Sequence, residues 1–467
     1  MRDIEQTSLS HCPVHGYIPF VSQVAGESEV AERQIIDHPW VQRLRQIHQL
    51  QTAWWVYPTA EHTRFQHVLG AMHLASRATE ALYDSLAEVC PETPSRGYVE
   101  SLLRMAALLH DVGHGPFGHF FDKCFLQRHD QTHETVGAHI IEHELGDLIR
   151  AVRRNPFGEL APGETLDPAQ ICALITRPRD DGAALPRWLR MLRSLFSGIY
   201  TVDNMDFVLR DAFMSGYSAR AFDLDRLLRY SFFTDQGLTI HRRGLEALVR
   251  FMGVRGELFR AVYFHRTVRG IDMTLEDLFR AGSDLLFPGN PLEHLDTYQH
   301  FTEFSLLVDV ARWPLSDDER RREVGEAWRR LLRRDIPWRS VCERNLVFTS
   351  AGAEPASIFS DEETLLSRLR KSLPSELAEA ALRVDLPRHI HRPGTSGAAT
   401  GQNFLYTSER DEVRPLTDDQ LFRHLPLAGR ICRIYAAPHL DAASRAAIAA
   451  ALDDLLGGAQ ADDLTNM

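Results

Sequence analysis

The feature that most constrains this chain is the run His110-Asp111-Val112-Gly113-His114-Gly115-Pro116-Phe117-Gly118-His119. The residues before it, from about Tyr98 through Leu102, Leu103, Met105, Ala106, Leu108 and Leu109, have the spacing of a buried helix. The histidine and aspartate therefore stand at a helix end. Neighbours there diverge by about 100°, so both can converge only on a target seated against that end. A cation is such a target. The glycines and proline stop the helix and turn the chain, which sets His114 and His119 on a short loop beside the same point.

A dication needs more donors than two. His67 lies on the preceding helical pattern, which Thr63 caps and which runs through Phe65, Val68, Leu69, Met72, Leu74 and Ala75 towards Val89. Asp203 opens the run Asp203-Asn204-Met205-Asp206-Phe207-Val208-Leu209-Arg210-Asp211 on a further helix. His67, His110, Asp111 and Asp203 make a mixed nitrogen and oxygen set that suits Mn, Fe, Zn, Co or Mg without selecting among them. Singly, each would read as a packed histidine or a helix cap. Together, beside the Gly-Pro turn, they read as a metal set. His11, His15, His139, His143, His389 and His391 lack such company and read as surface or packing residues.

The chain's 467 residues exceed the roughly 250–300 at which one core stops growing, so two lobes are expected. Residues 1–287 read as mainly α, with a small hairpin from Arg229–Phe233 and Leu238–His241. A hinge at Pro288–Pro291 leads to a smaller mixed α/β lobe over 288–467. Its helical patterns lie at Thr302–Trp313, Asp317–Arg334, Asp361–Leu373 and Ala442–Leu456, and its β-rich pieces at Asn345–Thr349 and Ile431–Ala437. His391–Ser408 reads as a mobile loop, and Asp180-Asp181 and Asp317-Asp318 as solvated charges.

A net charge of −12 argues against a protein that coats nucleic acid. The most obvious basic run, Arg320-Arg321-Arg322, is flanked by Asp317, Asp318, Glu319 and Glu323 and reads as a salt-bridged helix face. The six cysteines form no C-x-x-C pair, so packed thiols are expected rather than disulfides. Without an apolar leader or a run of about 18 apolar residues, a cytoplasmic protein with no membrane span is expected.

These blocks resemble the HD superfamily of phosphohydrolases, and within it the dNTP triphosphohydrolase branch. The likeness covers most of residues 13–285. It begins at Pro13-Val14-His15-Gly16 and continues through Gln42-Arg43-Leu44-Arg45, Val56-Tyr57-Pro58 and His62-Thr63-Arg64-Phe65-Gln66-His67. The His110–His119 block, His133-Glu134 and Asp203–Asp211 follow in family order. The resemblance implies a helical bundle in which His67, His110, Asp111 and Asp203 hold a divalent metal. It implies that His114 and His133 contact the α-phosphate, and that His119, oriented by Asp122, gives a proton to the leaving 5′-oxygen. Gln49, Leu50, Asp211 and Tyr263 match positions that recognise the sugar; Arg64 and Arg255 match phosphate contacts. The implied reaction releases a nucleoside and inorganic triphosphate. A homo-oligomer and a nucleotide activator are implied with it.

Two positions depart from the vertebrate pattern. Asn204 stands where that enzyme has a lysine on the polyphosphate, and Phe207 where it has a tyrosine. Loss of a cation and a hydroxyl opens a second reading, an HD phosphohydrolase for a nucleoside mono- or diphosphate or another phosphoester. A third, from another class, is a nucleotide sensor or nucleic-acid-binding regulator without turnover. The intact ligand set with His119 and Asp122 speaks against it.

Overall fold

A computed structural model describes residues 5–24, 28–176, 185–348, 357–390, 403–423 and 428–465. The chain folds into two compact units that interleave in sequence. The first takes residues 1–254, 283–309 and 398–419, the second 255–282, 310–397 and 420–467. The sequence suggested a single change near Pro288. Asp180-Asp181 and the first part of the His391–Ser408 segment lie outside the described residues.

The first unit opens with an antiparallel hairpin, β1 (Thr7–Cys12) and β2 (Gly16–Val21). Its centre is two long helices, α1 (Arg64–Val89) and α2 (Arg96–Leu109). Helix α1 starts where the sequence placed it, with the Gln66 side chain accepting from the Thr63 backbone N–H at 2.7 Å. Helix α2 is buried on every face, polar residues included. Its buried Arg104 is neutralised by Glu32, with Nε and Nη2 on the two carboxylate oxygens at 2.6 and 2.8 Å.

The chain then forms α3 (His119–Cys124) and α4 (His133–His139), which Thr132 caps and a turn of π-helix, Ile140–Glu144, extends. Helix α5 (Val202–Met214) is capped by Thr201, whose side chain accepts from the Asn204 N–H at 3.0 Å. The expected hairpin is β3 (Ser231–Thr234) with β4 (Gly237–His241). It belongs to a larger sheet: Asn403–Thr407 pairs in parallel with β4, and Glu412–Pro415 closes the edge.

The second unit contains the helix Arg266–Leu286 as far as Gly282, and the helices Glu319–Leu332, Glu362–Ser372 and Ala442–Thr465. Its central strand, Ala428–Ala436, lies antiparallel between Arg339–Phe348 and Leu382–Asp385. Leu365, Leu369, Cys432, Ile434, Ile448 and Leu452 form its core. The final helix runs past the Leu456 expected from the sequence. The mainly α architecture with smaller mixed parts holds. All six cysteines are free thiols. Among the described residues no helix is long and apolar enough to cross a membrane.

Candidate metal centre and its imidazole neighbours

Three elements of the first unit bring the first cluster together. His67 comes from α1, His110 and Asp111 from the end of α2, and Asp203 from the first turn of α5, where a carboxylate suits the helix dipole. His67 Nε2 is 3.3 Å from His110 Nε2, 3.1 Å from Asp203 Oδ1 and 3.9 Å from Asp111 Oδ2. His110 Nε2 is 3.4 Å from Asp111 Oδ1 and 3.8 Å from Asp203 Oδ1. Donors bound at about 2.0–2.2 Å to one cation have such mutual separations.

The hydrogen bonds behind the histidines decide which nitrogens face inward. His110 Nδ1 donates to the Ala107 carbonyl at 2.8 Å. His67 Nδ1 donates to Asp206 Oδ2 at 2.7 Å. Both Nε2 atoms are therefore turned inward, and two lone pairs so placed would repel unless a proton or a cation lies between them. Burial would lower the His67 pKa, but Asp203 and Asp206 outweigh it and push it up to about 10. In the metal-free chain, a proton takes the place the geometry offers to a cation. The donor set fits a divalent metal.

Asp111 connects this cluster to a second. Burial would raise its pKa, but Arg64, His110 and His114 hold it well below the usual carboxylate range. Its Oδ2 accepts from Arg64 Nη1 at 2.6 Å, while Oδ1 is 3.2 Å from His114 Nε2. Arg64 is buried; the resemblance made it a phosphate contact, whereas here its charge lies on Asp111.

Beyond His114 lie His119, Asp122 and His133. The rings of His114 and His133 stack at 3.8 Å, and His133 Nδ1 donates to Asp122 Oδ2 at 2.5 Å. His119 Nδ1 is 3.4 Å from the same oxygen, with its side chain 68% exposed. Burial, with Arg64 and His133 nearby, holds the His114 pKa well below its ordinary value, so this imidazole is neutral. Its Nε2 lies 3.2 Å from Asp111 Oδ1 and its Nδ1 3.9 Å from Asp122 Oδ1. Burial opposes ionisation of Asp122, yet His114, His119 and His133 hold its pKa far below normal.

The loop between the clusters is held from behind. Phe117 has φ +61° and is fully buried; Gly118 has φ +55°, and a Cβ there would stand 2.3 Å from Arg64 Nη2. Arg43, from the Gln42–Arg45 block, donates to the carbonyls of His114 at 2.6 Å, Tyr298 at 3.1 Å and Phe301 at 2.8 Å. Tyr298 Oη donates to the Gly113 carbonyl at 2.8 Å.

The remaining expected residues are less gathered. Gln49 and Leu50 precede the loop to α1; Leu50 is buried, and Gln49 Oε1 is buried without a partner. Asp211, at the far end of α5, is buried and accepts from His62 Nε2 at 2.7 Å. Asn204 and Phe207 are half-buried on α5. Arg255 and Tyr263 belong to the second unit.

Three residues of the first unit were missed. Asp206, one turn beyond Asp203, holds His67; Arg210, one further turn on, holds Asp206 with Nε at 2.9 Å and Nη2 at 2.8 Å. The i, i+3 and i, i+4 spacing was the available signal. His15 read as a surface or packing residue. Its side chain is buried, with Nε2 2.6 Å from Asp206 Oδ1, because the β1–β2 hairpin carries it inward. His139 and His143 do lie together near the surface, their rings 4.4 Å apart.

Comparison with known proteins finds relatives for part of this chain. The HD domain family model matches residues 64–178, the stretch that contains His67, His110 and Asp111. The chain carries an HD domain over these residues. Its relatives include YwfO, an uncharacterized protein of Bacillus subtilis, 26% identical over 82% of this chain and 81% of that one. The human deoxynucleoside triphosphate triphosphohydrolase SAMHD1 is 31% identical over 61% of this HD-domain chain and 46% of its own length. An uncharacterized protein of Methanocaldococcus jannaschii is 30% identical over 52% of this chain and 45% of its own. The match thus spans under half the length of the human and archaeal relatives. A crystal structure of a hypothetical protein from Aquifex aeolicus superposes with a TM-score of 0.67 at 23% identity. It covers 95% of this chain and 100% of that one, a likeness of fold.

Proposed function

We propose that this HD-domain chain is a metal-dependent phosphohydrolase that converts (deoxy)nucleoside triphosphates into nucleoside and inorganic triphosphate. The observation that carries the reading is the junction of the two clusters, 3.2 Å from Asp111 Oδ1 to His114 Nε2. It sets a cation-binding group beside a proton-handling one. Similarity to SAMHD1, named a deoxynucleoside triphosphate triphosphohydrolase, supports the substrate class.

In this reading His67, His110, Asp111 and Asp203 hold the cation, which when bound supplies Lewis acidity and a water acidified towards neutral pH. The remaining chemistry belongs to the side chains. His114 is neutral, with its Nε2 towards Asp111 and His133 stacked beside it, and meets an oxygen of the α-phosphate. His119 stands at the exposed side, its Nδ1 towards Asp122, and gives a proton to the departing 5′-oxygen. Gln49 Oε1 awaits a sugar hydroxyl, Leu50 walls the sugar, and Asp211 is held ready by His62. Arg255 and Tyr263 enter on the resemblance alone. So do a homo-oligomer and a nucleotide activator.

Asn204 and Phe207 favour a second reading, a substrate with fewer phosphates, because they offer the polyphosphate neither a cation nor a hydroxyl. One experiment separates the two. The purified chain is incubated with dNTPs, NTPs and nucleoside mono- and diphosphates under Mn²⁺, Mg²⁺ or Fe²⁺, with His110→Ala as the blank. Nucleoside and intact triphosphate, absent from the blank, is the expected result. Turnover confined to mono- or diphosphates would overturn the first reading in favour of the second. A chain inert towards the whole panel would overturn both.

A further inference from the structure

Asp206 is a fully buried carboxylate whose hydrogen bonding is saturated. Oδ2 accepts from His67 Nδ1 at 2.7 Å and Arg210 Nε at 2.9 Å; Oδ1 accepts from Arg210 Nη2 at 2.8 Å and His15 Nε2 at 2.6 Å. An ionised carboxylate is an acceptor only, so the protons sit on His67 Nδ1 and His15 Nε2. With Nδ1 so engaged, His67 has one nitrogen left, Nε2, and that nitrogen faces His110, Asp111 and Asp203.

The space for this arrangement is made by Gly70 on α1. A Cβ there would stand 1.9 Å from Asp206 Oδ1 and 2.3 Å from Arg210 Nη2. Bare backbone on α1 is what lets a carboxylate from α5 reach behind a histidine of α1. His67, Asp206 and Arg210 belong to the two helices themselves. His15 does not: it sits in the turn of the β1–β2 hairpin, 191 residues away in sequence from Asp206. The same hairpin places Cys12 Sγ 3.6 Å from both Arg210 Nη atoms. The hairpin thus touches both partners of the Asp206–Arg210 pair.

We propose that the N-terminal hairpin is an outer part of the metal centre. His15, acting through Asp206, is a positioning residue that fixes the tautomer and tilt of His67 and so sets affinity for the divalent cation. The proposal rests on the reading of His67, His110, Asp111 and Asp203 as a metal set, and is independent of the substrate. Outer partners of metal-binding histidines orient the ring and raise its basicity, and losing one costs roughly 10–100-fold in metal affinity.

The test uses the full chain, stripped with a chelator and titrated with Mn²⁺. Free ion is counted by electron paramagnetic resonance, and the metal-free fold is followed by circular dichroism. His15→Ala is expected to weaken Mn²⁺ binding about tenfold, the lower end of that range, with the helical spectrum kept. His15→Gln, whose amide N–H can still donate to Asp206, restores most of the loss. Asp206→Asn weakens binding further, towards about a hundredfold. That variant leaves Arg210 buried without a counter-charge and can fail to fold, so the His15 pair decides without it.

A residue that merely pins the hairpin would lower the melting temperature and leave Mn²⁺ affinity alone. Wild-type affinity in His15→Ala therefore overturns the proposal. So does a His15→Gln chain as weak as His15→Ala, or a His15→Ala chain that loses its helical spectrum. A wild-type chain that takes up no Mn²⁺ overturns the metal centre itself, and the positioning role with it.

Discussion

The two histidine clusters lie side by side and are built on opposite principles. Around His67 and His110, each outward ring nitrogen is committed, to Asp206 or to the Ala107 carbonyl, so that the inward nitrogens have no freedom. Around His114 and His119, commitment is looser: His114 Nε2 is 3.2 Å from Asp111, and His119 is largely exposed with Nδ1 3.4 Å from Asp122. Fixed tautomers suit a group that must present a lone pair. Loosely committed imidazoles suit groups that exchange protons or meet a ligand. The same residue type serves both uses, and the partners behind each ring decide which.

The largest effect should come from breaking the committed cluster. His110→Ala removes one donor and leaves the Arg64–Asp111 ion pair intact, which Asp111→Ala would not. Activity should fall by more than the ~10⁴-fold upper range of a single general acid, because nucleophile and charge stabilisation are lost together. Metal content per chain, measured by inductively coupled plasma spectrometry, should fall with it. His119→Ala, in the looser cluster, should cost ~10²–10⁴-fold in kcat with metal content unchanged. Equal metal loss in both variants would erase the distinction between the clusters.

Legibility in the sequence followed the range of the interactions. The helices that carry the candidate cation donors were readable because apolar spacing and, for α1, the cap at Thr63 are local. Asp206 and Arg210 carried a local signal too, at i+3 and i+7 from Asp203, but the attention given to motif positions hid it. His15 had no such signal. Its role exists only because a hairpin folds back onto α5. The parallel pairing of Asn403–Thr407 with β4 was equally hidden, since no pattern within either strand names its partner. The π-turn at Ile140–Glu144 escaped because its residues keep a helical pattern and only the hydrogen-bond register changes.

A smaller effect separates the clusters by pH. His67 in the metal-free chain is pushed up to about 10, because Asp203 and Asp206 outweigh burial. Its folded value exceeds its ordinary one, so in that form it contributes stability that is full below about 6.5 and fades as pH rises towards 10. Cation and proton compete for Nε2. Metal affinity should therefore rise with pH, by about tenfold per unit for each proton released, across that same window. His114 shifts the other way: burial keeps it neutral, so it should add nothing to this slope. Mn²⁺ titrations between pH 6.5 and 8.5 measure the slope; a flat response would mean that His67 does not face the cation.

The smallest expected effect concerns the substrate and leaves both clusters as they are. Asn204 sits next to Asp203 in the first turn of α5, half-buried, with its backbone already satisfied by Thr201. Its side chain can therefore be exchanged without undoing the cap. Asn204→Lys adds the cation that the vertebrate pattern has here. A charge at a partly solvated position is worth about 1 kcal/mol, which is roughly fivefold in binding. If the substrate is a triphosphate, KM should fall by about that factor with kcat little changed, because a polyphosphate grip acts on ground and transition states alike. Phe207→Tyr should add less, since a neutral hydroxyl gives the weaker hydrogen bond. If instead KM for the triphosphate stays where it was while a monophosphate is turned over as before, the polyphosphate does not lie along the first turn of α5. The short-substrate reading would then account for both departures from the vertebrate pattern.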